Sequence, residues 1–289
     1  FNIVDFDDRY NTLFRTAKLY TNQTRALALD FIDKLNADNG TEAYEPIKYA
    51  LDSTDSDSKD YLRQVIFITD GQFSNEQEIL KYANENRGDS KIFTIAIGSA
   101  TNDFVMKKLA SFGKGTYTNI ANIKEVGSKM IDFFKKIENP SLSNLNIDGI
   151  EMSLSDLYYG ESIYYTFVSN KLQDKVVLTG TIDGKRYSQT INVKNTKQGS
   201  GIAKLWAKDT IDTLMSAYYM SYGDKRDTIQ SYVEKIALEH NLVSKFTSLV
   251  AVDKTPARDK AQTLHSQQVA AKLPSGWTNI KTHAKAPQT

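Results

Sequence analysis

"LRQVIFITDGQFSN", residues 62–75, decides how this chain is read. The apolar residues Val65, Ile66, Phe67 and Ile68 follow one another without polar alternation, then give way to Thr69, Asp70 and Gly71. A short apolar run of this kind, bounded by turn residues, is the mark of a strand covered on both faces. A carboxylate at the end of such a strand packs against nothing and is presented outward.

Working outward, "KIFTIAIG" (91–98) is a second buried strand, and helical patterns surround both. One covers "NQTRALALDFIDKLNADNG", with Ala28, Phe31, Ile32 and Leu35 at helical spacing. Others cover "EAYEPIKYAL", "NEQEILKYANEN" and "DFVMKKLASFG". "FNIVDFD" (1–7) reads as a strand and "GTYTNI" as a small one. A further helix places Ile123, Val126, Met130, Phe133, Phe134 and Ile137 on one face. Alternating strands and helices, with strands apolar on both faces, predict a Rossmann-like, doubly wound, mostly parallel α/β sheet. Pro140 closes this block, assigned to residues 1–139.

Residues 140–198 read as a β-rich segment. Its strongest signal is the hairpin "KVVLTGTIDGKRYSQTINVK", turned at Asp183-Gly184, with Tyr187, Gln189, Ile191 and Val193 on one face. Residues 199–256 carry two helices, with Ile211, Leu214, Met215, Tyr218 and Tyr219 on one and Ile229, Tyr232, Val233, Ile236 and Ala237 on the other. "KFTSLVAVD" then reads as a last strand, and 257–289 as a polar, flexible tail.

The chain has 289 residues, 36 basic against 35 acidic side chains and no cysteine. The near-zero net charge gives no electrostatic ground for nucleic acid or an anionic membrane. The missing thiols exclude disulfides, thiolate metal sites and cysteine catalysis. No Gly-rich phosphate loop precedes a helix, and no Ser-His-Asp arrangement or nucleophile elbow is visible. His240, His265 and His283 fall in the late helix or the tail, so the chain is expected not to be an enzyme. Lys107-Lys108 and Lys135-Lys136 read as solvated helix faces. The chain starts at Phe1 without a methionine, as a piece of a longer protein would.

In open parallel α/β sheets, ligands bind outside the carboxyl ends of the strands. Asp70 stands at such an end. Carboxylate and hydroxyl oxygens suit a hard cation such as Mg²⁺. Thr41, in "ADNGTEAYEP", is a candidate hydroxyl partner. The competing reading is that Asp70 caps the following helix or forms an Asx-turn. Spacing alone leaves both open. A receiver-type phosphoacceptor aspartate, with Asp5, Asp7 and Asp8 as accompanying acids, is a third.

"RQVIFITDG", "GTEAYEPIKYAL", "KIFTIAIGSATNDFVMKKLASFGKGTYTNI" and "IENPSLSNL", in this order, resemble the von Willebrand factor A domain of the inter-alpha-trypsin inhibitor heavy chain group. "GIAKLWAKDTIDTLM" and "ALEHNLVSKFTSLVAVDKTPAR" are similar to the region that follows in that group, so the likeness runs to about Arg258. The bacterial branch of marine proteobacterial sortase target proteins is the nearest in character. The resemblance implies a metal-ion-dependent adhesion site with Thr41 and Asp70 as ligands of Mg²⁺, or of Mn²⁺ or Ca²⁺. An acidic residue of a partner protein would complete the shell. It also implies an Asp-x-Ser-x-Ser triplet after a first strand, which is expected upstream of Phe1; "DSTDS" (52–56) only mimics it. The implied location is extracellular or the bacterial cell envelope. Pro287, Gln288 and Thr289 resemble the end of a sortase signal, implying anchoring through Thr289. The runner-up function is a structural interaction scaffold without a working metal site, its surface supplied by the tyrosines of "LYYGESIYYTF" and "SAYYMSYG".

Overall fold

The computed structural model describes residues 1–36, 40–52, 61–98, 101–148, 154–168, 174–193, 199 and 201–250. Residues 1–248 form one compact unit; residues 249–289 are a second, of which only 249–250 are described.

The stretch at 62–75 gives β3 (Gln64–Thr69), and "KIFTIAIG" gives β4 (Lys91–Ile97). With β5 (Lys114–Ile120) they form a parallel sheet in the order β3-β4-β5. Helix α3 (Glu76–Asn86) links β3 to β4, and α4 (Asp103–Phe112) links β4 to β5. Helix α2 (Tyr44–Leu51) packs against α3 and ends where Arg63 Nη1 donates to the carbonyls of Ala50 (3.1 Å) and Asp52 (2.6 Å). Apolar cores lie on both faces of the sheet. One contains Ile47, Phe67, Ile79, Leu80, Ile92 and Leu109; the other contains Phe93, Ile95, Ile120 and Phe133. Helix α5 (Val126–Glu138) supplies Phe133 to the second. Glycine is required at Gly115, where a Cβ would stand 2.1 Å from the Ile92 carbonyl oxygen.

The doubly wound expectation holds, with one difference of consequence. β4 is covered on both faces, but β3 is covered on one: Phe67 and Thr69 are buried, whereas Ile66 and Ile68 are 37% and 43% exposed. No described strand pairs with the outer edge of β3. Residues 1–7 do not add to this sheet. Only Val4–Phe6 (β1) is a strand, and it forms a separate antiparallel hairpin with Tyr10–Thr12 (β2), an element absent from the sequence reading. Phe6 stacks on Phe67, with centroids 5.4 Å apart. Helix α1 (Asn22–Asp33) begins with a capping box at Thr21, yet buries only Ala28; Ile32 and Leu35 are exposed.

Further along, α5 buries Phe133 and half-buries Val126, Met130 and Ile137. Phe134 is exposed, and Ile123 belongs to a preceding 3₁₀ turn and is also exposed, because thirteen residues of helix cannot keep adjacent phenylalanines on one face. The β-rich segment is a three-stranded antiparallel sheet of β6 (Leu142–Ile147), β7 (Lys175–Ile182) and β8 (Lys185–Asn192). The β7–β8 turn has positive φ at both Asp183 (49°) and Gly184 (69°), the conformation Asp-Gly favours in two-residue hairpins. Tyr187 packs inward, while Ile191 and Val193 of the same face are exposed. Helices α6 (Ile202–Tyr219) and α7 (Asp224–Glu239) pack together through Ile211, Met215, Tyr218, Ile229 and Val233. Tyr232 points away and is exposed. "KFTSLVAVD" is not a strand over its described residues: the chain turns at an isolated Ser244–Thr247 bridge.

Residues 154–168 act as a strap between the two sheets. Leu157 pairs with Leu142, Tyr158 Oη donates to the Lys114 carbonyl (2.7 Å), and Thr166 Oγ1 donates to Asp209 Oδ2 of α6 (2.6 Å). Burial pushes the Tyr158 hydroxyl pKa up, and the nearby carboxylates of Asp156 and Glu161 push it further. Lys91, opening β4, is ion-paired with Asp156, and their side chains are only 12% and 1% exposed. Lys136 is bound to Glu161 at 2.6 Å, so it is a strap anchor and not a solvated lysine. A buried pair that loses one partner leaves the other charge uncompensated. Asp156→Ala should therefore cost about 3–5 kcal/mol in urea unfolding, and Lys91→Met/Asp156→Leu much less. Equal losses for the two variants would show that packing, not charge, holds the strap.

Candidate metal centre

Parallel pairing brings the ends of the strands to one edge. Thr69 lies opposite Ala96, and Ile97 opposite Ile120, so the loops beginning at Asp70, Gly98 and Ala121 share that edge. Asp70 is exposed there, and its carboxylate has no hydrogen-bond partner among the described residues. The turn is closed instead by Gly71 N–H donating to Thr69 Oγ1 (3.3 Å). Helix α3 starts at Asn75, which caps it with a left-handed φ of 61° and no side-chain bond. The capping and Asx-turn readings of Asp70 thus find no hydrogen bond to support them.

The loops carrying the two residues singled out in the sequence come together. A Cβ at Gly71 would stand 3.2 Å from Thr41 Oγ1, so the glycine after Asp70 lies against the threonine hydroxyl. Two further bonds fasten the loops. Ser74 Oγ donates to Glu42 Oε1 (3.0 Å), and Glu42 N–H donates to the Asp7 carbonyl (2.6 Å). The turn of the β1–β2 hairpin, the Thr41 loop and the Asp70 loop therefore form one corner. Lys91 and Lys114 open their strands and so stand at the opposite edge, which removes them as companions of a phosphoacceptor at Asp70.

All the donors here are oxygens, as Mg²⁺, Mn²⁺ or Ca²⁺ require. Thr41 and Asp70 supply two of them. Among the described residues no cluster of three or more acidic or histidine side chains is placed to hold a metal. The pair fits part of a hard cation's shell and not the whole of it. Of the other sequence candidates, Pro287, Gln288, Thr289, His265 and His283 lie outside the described residues, as does most of "DSTDS". His240 ends α7 and packs against the Trp206 ring.

The sequence reading missed a second polar group on the same edge. Asp103, in the first turn of α4, is hydrogen-bonded to Thr101 (3.1 Å) and Asn119 (3.4 Å) and interacts with the Tyr117 hydroxyl. That hydroxyl, with Thr101, Lys107 and Asn119, holds the Asp103 carboxyl below its ordinary value against the opposing effect of partial burial. Burial, then the bond to Asp103, raises the Tyr117 pKa to about 12. The Thr, Asn and Asp residues of "SATND", straight after a buried strand, were the available signal. Lys107 lies 5.4 Å from the Tyr117 ring centroid. Lys108 is not solvated: it donates to Asp212 O (2.7 Å) and Ser216 Oγ (2.8 Å) of α6, and burial lowers its pKa.

Residues 1–119 match the sequence model of the von Willebrand factor type A domain. A von Willebrand factor A domain-containing protein of Dictyostelium discoideum is 26% identical over 307 residues, covering 98% of this chain and 32% of the relative. Another from the same organism is 34% identical over 149 residues, covering 51% of this chain and 16% of the relative. A solved von Willebrand factor type A protein from Catenulispora acidiphila aligns with 14% identity and a TM-score of 0.47, over 83% of this chain and 70% of that one. The fold itself is α/β, a three-stranded parallel sheet wrapped by helices with a further antiparallel sheet. Over residues 1–119 the chain is thus similar to von Willebrand factor type A domains, and the relatives share that likeness. The chain spans about a third or less of the length of the first curated relatives it matches.

The Tyr117 hydroxyl, its pKa raised first by burial and then by its bond to Asp103, has a pH signature. A tyrosine whose folded pKa is raised stabilises the native state fully below its unfolded value of 10.0, and that support is lost as pH rises towards about 12. Stability measured between those values should fall less steeply with pH in Tyr117→Phe than in the parent. Parallel pH profiles would remove the contact from the account.

Proposed function

We propose that this chain is a cation-assisted protein-binding module. Thr41 Oγ1 and the Asp70 carboxylate hold a hard divalent cation, Mg²⁺ or else Mn²⁺ or Ca²⁺, and an acidic side chain of a partner protein completes its shell. The observation that carries this reading is the exposed, unengaged carboxylate of Asp70 at the carboxyl edge of the sheet, with Thr41 against the neighbouring glycine. The bound cation would supply positive charge with vacant coordination positions. The chain's own part is to hold two oxygens at a fixed spacing, which the Ser74–Glu42 and Glu42–Asp7 bonds do by fastening their loops. Von Willebrand A domains often mediate protein interaction through such a site. The further donors would come from an Asp-x-Ser-x-Ser loop of the kind the family resemblance implies. The edge of β3 that no described strand pairs, and the exposed Ile66 and Ile68, offer a place for the strand that carries it.

The finer parts of the proposal are kinship with the inter-alpha-trypsin inhibitor heavy chain-like group and with sortase target proteins, an extracellular or envelope location, and binding without catalysis. They rest on the sequence resemblance. A second reading, the metal-free scaffold, is favoured by the exposed aromatics of the strap. Tyr159 and Tyr164 are 61% and 83% exposed, whereas Tyr158 and Tyr218 pack inside.

Calorimetric titration of Mn²⁺ and Mg²⁺ separates the two readings. The proposal expects a saturable heat with the parent chain that is lost in Asp70→Ala and weakened in Thr41→Ala, with unchanged thermal unfolding of the apo proteins. Identical titrations for parent and Asp70→Ala would discard the metal reading in favour of the tyrosine surface.

A further inference from the structure

The loop that carries Asp70 runs on into the wall of a cleft of about 520 Å³, lined by Phe73, Gln77, Tyr219, Tyr222, Arg226 and Lys245 among others. Two cations on it lack a counter-charge. The Arg226 guanidinium lies over the Tyr218 ring, Cζ 4.2 Å from its centroid, and Lys245 Nζ lies 5.6 Å from the same centroid and 5.0 Å from that of Tyr219. Neither is in an ion pair among the described residues. Arg226 Nε and Gln77 Nε2 are buried donors with no acceptor among the described residues. A buried donor without an acceptor is costly, so a ligand bringing acceptor oxygens to these side chains is favoured over an apolar one. Stacking on tyrosine holds the guanidinium in place without neutralising it, leaving its bidentate fork for a carboxylate.

The acids of the cleft say which anion fits. Glu76 is held by the Asn102 amide, but Glu78 stands exposed on the rim. A continuous polyanion would meet Glu78 as well as the cations, whereas a single carboxylate can reach the cations and leave Glu78 in solvent. The whole chain carries a net charge of only +1, too little to draw in nucleic acid. Ser74, four residues on from Asp70, lines the cleft, so the cleft's near wall lies at most about 14 Å from Asp70, within reach of a short extended peptide.

We propose that the cleft is the second docking point of the protein segment bound at Asp70: an extended stretch with two acidic residues joined by a short linker, one on the cation and the other on Arg226 and Lys245. This rests on the cation-assisted reading above and adds a second contact to it. The Phe73, Tyr219 and Tyr222 side chains would line the intervening residues.

The test uses the full 289-residue chain and two fluorescent peptides, one with two glutamates separated by four Gly/Ser residues and one with a single glutamate. In Mg²⁺ the two-glutamate peptide is expected to bind about tenfold more tightly, as one desolvated charge-assisted contact provides. Arg226→Gln/Lys245→Gln should abolish that advantage, and Arg226→Lys/Lys245→Arg should keep most of it. The parent's apo unfolding temperature is the control for folding. Equal affinities for the two peptides on a chain whose binding needs Mg²⁺ would sink the cleft and leave the cation site standing. A preference for the two-glutamate peptide that survives EDTA and disappears in the Gln/Gln variant would support the cleft and overturn the cation. If decauridylate displaces the peptide more readily than the unlabelled peptide does, the cleft takes nucleic acid and the proposal is wrong.

Discussion

Everything at the candidate site depends on the burial of β4. Ile92, Phe93, Thr94, Ile95 and Ala96 are all buried, so the strand is held between two apolar layers and cannot slip by one residue without exposing one set to water. Its register fixes β3 on one side and β5 on the other, and parallel pairing then obliges the three strands to finish together. Asp70 is where it is because Phe67 and Thr69 are buried against that layer, and a carboxylate could not be. Thr94 satisfies its buried hydroxyl on the Met106 carbonyl of α4 (2.9 Å), so a polar atom in the middle of the core also ties helix to strand.

The incompleteness of β3 is the other side of the same constraint. A central strand of a doubly wound sheet is apolar on both faces, and β3 has that composition, yet Ile66 and Ile68 are open and no strand among the described residues pairs with its outer edge. Unpaired edges beside exposed apolar side chains are adhesive. A strand laid along that edge would bury both isoleucines. The strap of residues 154–168 works at the other end of the sheet. It replaces solvent around Lys91 with Asp156 and around Lys114 with Tyr158, holding the α/β layer to the second sheet without touching the ligand edge.

Much of this was legible in the sequence because apolar periodicity reports burial directly. The helices and parallel strands between residues 44 and 138 fall where the pattern puts them, and Asp183-Gly184 forms its turn. The failures share a cause: a pattern records what could be buried, not what is available to bury it. Ile32, Leu35, Ile66, Phe134 and Tyr232 have the right spacing and no partner surface. "KFTSLVAVD" has strand composition but turns through the Ser244–Thr247 bridge. Lysines were the least legible. Lys91, Lys108 and Lys136 look like surface charges, and each is committed to a partner more than twenty residues away. At the site, the strand-end position of Asp70 was readable from the apolar run before it, while Thr41 was singled out by its loop and the family likeness. The bond between Ser74 and Glu42, the Asp103–Tyr117 group and the cations of the cleft arise from tertiary approach, which no local spacing encodes.

The central claim is that Asp70 and Thr41 face one cation. Anomalous diffraction from crystals of the chain grown with Mn²⁺ tests it most directly. The account predicts a peak about 2.0–2.3 Å from an Asp70 carboxylate oxygen and within the same shell as Thr41 Oγ1, directly or through one water. A fully occupied Mn²⁺ peak elsewhere, with the Asp70 carboxylate bare, would contradict it.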